Sequence, residues 1–198
     1  MGKPLMIGIT GGIGSGKSIV CKVFSSLGIP IYDADSRAKK LMTTDGILIS
    51  QIKKEFGDLS YQEGGALNRE FLSRTVFNDE ERLQKLNGLV HPRVAEDSAK
   101  WMRSNTNYPY LIKEAALLFE SGSYQALDRI IVVSAPEEVR VQRVLKRDRN
   151  RTESDIRKII RNQLSEEEKI NRADYVIQND ETVLVIPQVL KLHEQFIS

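Results

Sequence analysis

The stretch Gly11-Gly12-Ile13-Gly14-Ser15-Gly16-Lys17-Ser18, preceded by Leu5-Met6-Ile7-Gly8-Ile9-Thr10, limits the possible folds more than any other part of the chain. The apolar run is short and stops at two glycines, as a buried parallel strand does. Beyond the octet, Ile19, Val20, Val23, Phe24 and Leu27 recur at helical spacing, and Gly28 stands where a left-handed residue closes a helix. Strand and helix thus flank an octet that meets G-x-x-x-x-G-K-[ST] at each fixed position. At average residue frequencies the four fixed positions would coincide in roughly one chain per hundred of this length. The glycines let successive N–H groups face one concavity, and the helix adds its own N–H groups and the positive end of its dipole. Such a nest holds a polyphosphate. Lys17 reaches the β and γ oxygens as a point charge, and the Ser18 hydroxyl is a ligand for Mg2+.

With 198 residues and 40% hydrophobic composition, the chain can bury one α/β core and a small insertion. Its formal charge, 29 − 27 = +2, does not ask for a nucleic-acid partner. Cys21 is the single cysteine, so no disulfide closes within the chain. It reads as core filler, since no base partner is suggested. Neither a secretory segment nor an 18-residue apolar span is present, so a reducing, cytoplasmic location without a membrane partner is expected.

A second strand is expected at 29–32, ending in Asp33-Ala34-Asp35. Carboxylates at the carboxyl end of a parallel strand lie on the rim where α/β sheets bind ligands. Asp35 reads equally as an N-cap for the next helix, whereas Asp33 is harder to explain as a cap. Residues 36–105 carry helical patterns at 37–43, 46–56, 68–77 and 79–103, broken by Gly57, Gly64-Gly65 and Asn78-Asp79. That is too much helix for a crossover, and predicts a helical insert over the strand ends. His91-Pro92 should kink the last of these helices. A third strand at 108–112 leads to Lys113-Glu114. Glu114 reads either as an acidic residue near Mg2+ or as a surface or structural carboxylate. Strands follow at 129–134 and 174–177, and an amphipathic helix closes the chain at 182–197. Between 140 and 161, nine cations (Arg140, Arg143, Lys146, Arg147, Arg149, Arg151, Arg157, Lys158 and Arg161) face only Asp148, Glu153 and Asp155. A solvated helical face and a phosphate-recognising flap hinged at 148–152 both explain that run.

The alternation predicts a three-layer α/β fold, five parallel strands with helices on both faces. A phosphate nest, a rim carboxylate, a helical insert and an arginine-rich flap are the parts of a small-molecule kinase. In that chemistry Asp33 would accept the proton of an acceptor hydroxyl, while Lys17 and flap arginines neutralise the transferring phosphoryl group. The chain resembles the dephospho-coenzyme A kinases nearly end to end. The residues carrying the resemblance are 8–18, Asp33-Ala34-Asp35, Leu67 with Arg69, Val76-Phe77, Leu86-Asn87, His91-Pro92 and Leu117-Leu118-Phe119-Glu120. Gln142-Arg143, Arg147-Asp148, Gln163, Ala173-Asp174, Val176-Ile177 and Asn179 continue it.

The resemblance implies one P-loop kinase domain over 1–198, with a coenzyme-binding insert at 36–105 and a lid at 136–172. It implies ATP with Mg2+, and transfer to the ribose 3′-hydroxyl of dephospho-coenzyme A in the last step of coenzyme A biosynthesis. It also implies Asp33 as base, Arg143 near the nucleotide phosphates and His91-Pro92 in the acceptor pocket. Asp35 and Glu114 are further candidates on the acceptor side, and Asn179 is a candidate nucleotide contact. Two positions depart from the family pattern. Glu114-Ala115-Ala116 replaces Asp-x-Pro, and Asn68 stands where Asp is common, as a helix cap in either case. The rival within the same fold is a nucleoside, nucleotide or sugar-acid kinase. The Asn-Lys-x-Asp of GTPases and the Ser-Gly-Gly of ABC-type ATPases are missing, and an RNA-binding module on the 140–161 arginines is the alternative from another class. A monomer or weak homo-oligomer is expected.

Overall fold

The computed structural model describes residues 3–76 and 79–198. The chain runs β1 (Leu5–Thr10), α1 (Lys17–Ser26), β2 (Ile31–Asp33), α2 (Ala34–Thr44), α3 (Gly46–Phe56), α4 (Arg69–Val76), α5 (Glu80–Arg103) and β3 (Tyr110–Glu114). It continues through β4 (Arg129–Ser134), α6 (Glu137–Arg147), α7 (Glu153–Arg161), α8 (Glu166–Asn171), β5 (Tyr175–Gln178) and α9 (Val185–Ile197). Phe77, which carries part of the resemblance, and Asn78, read as a break, lie outside the described residues.

Two compact units result, Met1–Asp33 with Met102–Ser198, and Ala34–Trp101. The first holds a five-stranded, all-parallel sheet in the order β2-β3-β1-β4-β5, as expected. The chain leaves β1 for β2 and β3 on one side, then crosses back to β4 and β5 on the other. Such a reversal opens a crevice at the carboxyl ends of the strands. Alternation along the strands sends Ile7 and Ile9 (β1), Tyr110 and Ile112 (β3), and Ile131 and Val133 (β4) to one face. There they pack on Val20, Cys21 and Phe24 of α1 and Val189, Leu192 and Phe196 of α9. A separate cluster joins α6 to α7 through Val141, Val144 and Ile156, with Ile13 of the glycine-rich loop packed against it.

The second unit is helical. Its buried apolar residues include Leu48, Ile52, Phe56, Tyr61, Leu72, Val90 and Val94. Asp45 caps α3, accepting from the N–H groups of Ile47 (3.0 Å) and Leu48 (3.1 Å), and Asn68 caps α4 through Phe71 N–H (3.2 Å). The Arg93 guanidinium donates to Asp45 at 2.8 Å, and Arg37 to Asp97 at 2.7 Å, so ion pairs join α5 to the α3 cap and to α2.

Several expected boundaries shift. β3 starts at Tyr110 and includes Lys113 and Glu114, because its ladder with β1 continues through Glu114. β2 is Ile31–Asp33, which places Asp33 inside the strand. α2 then begins directly at Ala34, so Asp35 lies in its first turn instead of capping it. α5 passes through Pro92 unbroken to Arg103, since Val90, Val94 and Ser98 keep one buried stripe across the proline. α9 begins only at Val185, because the Asp180 carboxylate ties down the N–H groups of Thr182 and Val183 in a turn.

Candidate functional site

The site in the sheet unit is built on the end of β1. Ser15 N–H donates to Gly12 O (3.1 Å), closing the loop tightly. At Gly14, φ is +79° and the space a Cβ would need is filled by the backbone of Arg140, so only glycine fits. α1 then opens with no side-chain cap among the described residues and no acidic residue in its first turn. Its first N–H groups and the positive end of its dipole are therefore available to an anion. Lys17 folds over the loop, its ammonium donating to the carbonyls of Gly11 (2.8 Å) and Gly12 (3.2 Å). Ser18 is exposed at the helix start.

Asp33 and Glu114 stand beside this loop. The sheet register pairs Asp33 with Glu114 and Glu114 with Ile9, which puts the two carboxylates side by side in one row. Both share strand parity with Ile31 and Ile112, so they point to the face covered by α1. The Cys21 thiol on α1 reports the same proximity. Burial pushes its pKa up, the charge and hydrogen bond of Glu114 push it further, and Lys17 opposes them in part. Half-buried Glu114 is thus a rim residue beside the nest and not a detached surface carboxylate.

On the other side of the loop, Asn179 is a bracket. Its side-chain amide donates to Ser15 O (2.7 Å), and its own N–H donates to Ser134 O (2.8 Å). Arg143 on α6 donates to Asn179 Oδ1 (3.5 Å) and Glu181 Oε1 (3.3 Å), leaving a buried Nη1 without a partner among the described residues. Gln163, after α7, accepts from Ile13 N–H (2.9 Å). Sequence reasoning missed the bracketing roles of Asn179 and Gln163 and the burial of Arg140. Only the occurrence of the first two among the resemblance residues pointed to them.

The run of positive charge between 140 and 161 is offset in part by acids that the count along the chain leaves out. Counted within 140–161 the cations outnumber the acids, but several of their partners come from outside that window. Arg157 is held by Glu137 (2.7 Å) and Glu138 (2.8 Å) as well as Glu153, Arg140 lies 4.0 Å from Glu166, and Arg143 pairs with Glu181. In the helical unit, His91 and Pro92 are exposed on α5 and Asp35 is exposed on the first turn of α2.

For Mg2+ the donors fit in kind. Ser18, Asp33 and Glu114 offer hard oxygens on or beside the nest, and Mg2+ takes few protein ligands because it keeps waters and phosphate oxygens. No group of three or more His, Cys, Asp or Glu among the described residues forms an all-protein cage. Nor is any described helix long and apolar enough to cross a membrane.

A family model described as dephospho-CoA kinase matches residues 5–184. The dephospho-CoA kinase of Bacteroides fragilis is 41% identical over 191 residues, covering 95% of this chain and 91% of that one. A solved structure from Thermus thermophilus superposes with a TM-score of 0.87 at 34% identity, covering both chains fully. The dephospho-CoA kinase from Campylobacter jejuni does so with a TM-score of 0.71 at 25% identity, covering 96% of each chain.

Proposed function

The chain belongs to the dephospho-CoA kinase family, and we propose that it performs the family's transfer with Asp33 as base and the 11–18 loop as phosphate cradle. ATP is its phosphoryl donor, and the ribose 3′-hydroxyl of dephospho-CoA is the acceptor, giving CoA and ADP in the last step of coenzyme A biosynthesis. The observation that carries the assignment of roles is the row formed by Ile9, Glu114 and Asp33 at the carboxyl ends of three adjacent strands, beside the uncapped start of α1.

The loop amides and the first turn of α1 bind the β- and γ-phosphates, with Gly11, Gly12, Ile13, Gly14, Ser15 and Gly16 shaping the cradle. Lys17 exchanges its contacts with the Gly11 and Gly12 carbonyls for the β/γ oxygens. Asp33 takes the proton of the 3′-hydroxyl as that oxygen attacks the γ-phosphorus in line, and the bond from the γ-phosphorus to the bridging oxygen breaks to release ADP. Ser18 would hold Mg2+, which when bound neutralises charge on the β- and γ-oxygens. Glu114 orients the acceptor beside Asp33. Arg143, from the lid at 136–172, and Asn179, just after β5, face the nucleotide, and its under-paired guanidinium supports that role for Arg143. The helical insert, 36–105 by sequence, takes the coenzyme part of the acceptor through His91 and Pro92, with Asp35 just before it as a further contact.

Asp33→Asn tests the base directly. Turnover should fall by about 10²- to 10⁴-fold, while ATP affinity stays within about threefold of wild type. Loss of ATP binding with normal single-turnover chemistry would overturn the assignment.

A further inference from the structure

Arg140, on α6, is 6% exposed, although burying a guanidinium is unfavourable unless it is well paired. Here the pairing is loose. Glu166 on α8 approaches Arg140 Nη1 only to 4.0 Å, beyond hydrogen-bond reach. Glu166 commits Oε1 to Ala135 N–H (3.3 Å), and its buried Oε2 has no hydrogen-bond partner among the described residues. Arg140 Nε is buried and unpartnered in the same sense. Lys169, 1% exposed and one turn along α8, draws on Glu166 as well, while its ammonium sits 3.5 Å from Glu120. A chain of alternating charges, its two cations buried and its two carboxylates partly exposed, therefore runs Glu120, Lys169, Glu166, Arg140, and it is incompletely satisfied at its Arg140 end.

That end abuts the glycine-rich loop. A Cβ on Gly12 would collide with Arg140 Nη1, and one on Gly14 would collide with the Arg140 backbone carbonyl. One residue thus shapes the loop at two glycines and places a poorly compensated cation against it. A polyanion in the loop is the counter-charge that this arrangement lacks.

We propose that Arg140 is a positioning residue for the phosphate loop, setting its shape and supplying charge that strengthens its hold on the β-phosphate of the nucleotide. The proposal rests on the reading of residues 11–18 as the ATP cradle. Because the effect acts through the loop, it scales with the phosphates that the loop holds, which a general structural role would not do.

The test is calorimetric binding of ATP, ADP and AMP to wild type, Arg140→Met, Arg140→Lys and Glu166→Gln, with melting temperatures recorded alongside. In R140M, affinity for ATP and ADP should fall about tenfold while that for AMP is unchanged, and R140K should recover part of the loss. E166Q keeps the acceptor for Ala135 N–H but removes the competing charge, so it should tighten ATP binding about two- to threefold, whether or not R140M folds. Wild-type ATP and ADP affinity in folded R140M, an equal loss for all three nucleotides, or weaker ATP binding in E166Q would overturn the proposal. A wild-type chain that binds no ATP would bring down the cradle reading and this proposal with it, whereas normal wild-type binding with any of those results removes this proposal alone.

Discussion

Gly14→Ala is the sharpest perturbation of the loop. A residue with a Cβ at φ = +79° carries a left-handed penalty of about 1–2 kcal/mol. The new methyl would also meet the carbonyl oxygen, carbonyl carbon and Cα of Arg140, which are backbone atoms and cannot swing aside as a side-chain tip does. Overpacking of that kind adds about 1–3 kcal/mol, for a total of about 2–5 kcal/mol. If the loop stays in place, the strain lowers stability, and in a chain of 198 residues it takes about 4–20 °C off the melting temperature. If the loop moves to relieve the strain, its amides leave the phosphate-binding arrangement, and ATP affinity falls by about the same free energy. Differential scanning fluorimetry and ATP titration on one preparation capture both routes. Gly88→Ala, in the interior of α5 with no neighbouring atoms to meet a new Cβ, is the control. It should raise the melting temperature by about 2–4 °C. A G14A protein that melts and binds ATP as wild type does would refute the reasoning, because neither the backbone angle nor the Arg140 contact would then matter.

Two further predictions follow from titrating groups. Asp45 is opposed by burial, but the Leu48 N–H and the Arg93 guanidinium outweigh it and hold its carboxyl below the ordinary value of 3.8. A depressed carboxyl contributes stability that is complete above the unfolded-state value and is lost as pH falls through the folded-state value. Asp45→Asn should therefore lower the urea midpoint at pH 7 and flatten its decline between about pH 5 and 2; an unchanged acid slope would contradict this. The Cys21 thiol, raised by burial and by Glu114, should not react with a disulfide reagent at pH 8 in the folded chain. Its labelling should track unfolding in denaturant, and rapid stoichiometric labelling of native protein would refute that.

The parts of the fold that were legible are those where a local signal and burial agree. β1 and β4 are largely apolar runs buried between layers, and their limits in the structure, 5–10 and 129–134, are those the sequence pattern predicts. Asn68, a cap by sequence, caps α4 in the structure. For β3 the sequence pattern points to 108–112, two residues early, because Lys113 and Glu114 look like the end of a strand. Lys113 is nevertheless buried within it, with burial lowering its pKa. Hydrogen bonds to β1 on one side and β2 on the other decide that limit, and no local pattern records them. For the site, the octet announced the nest, and the strand-end position singled out Asp33. That Asp33 and Glu114 share one row follows only from the pairing of strands far apart in sequence.

The lid arginines show why a charge count along the chain misleads and how geometry sorts them. Arg157 donates to three carboxylates, Glu137, Glu138 and Glu153, so it pins α7 to the start of α6 and has little capacity left for a phosphate. Arg151 folds back on Asp148 at 2.8 Å. Arg140 and Arg143 differ from both, since each keeps a buried nitrogen without a partner, and each touches the loop or its Asn179 bracket. Leaving buried donors unsatisfied opposes folding by about 1–3 kcal/mol apiece. Two such donors around the loop read here as a phosphate cradle are what the proposed bound anion would offset. Incomplete pairing thus separates the two arginines proposed here to serve the nucleotide, Arg143 directly and Arg140 through the loop, from neighbours whose donors are taken up by carboxylates.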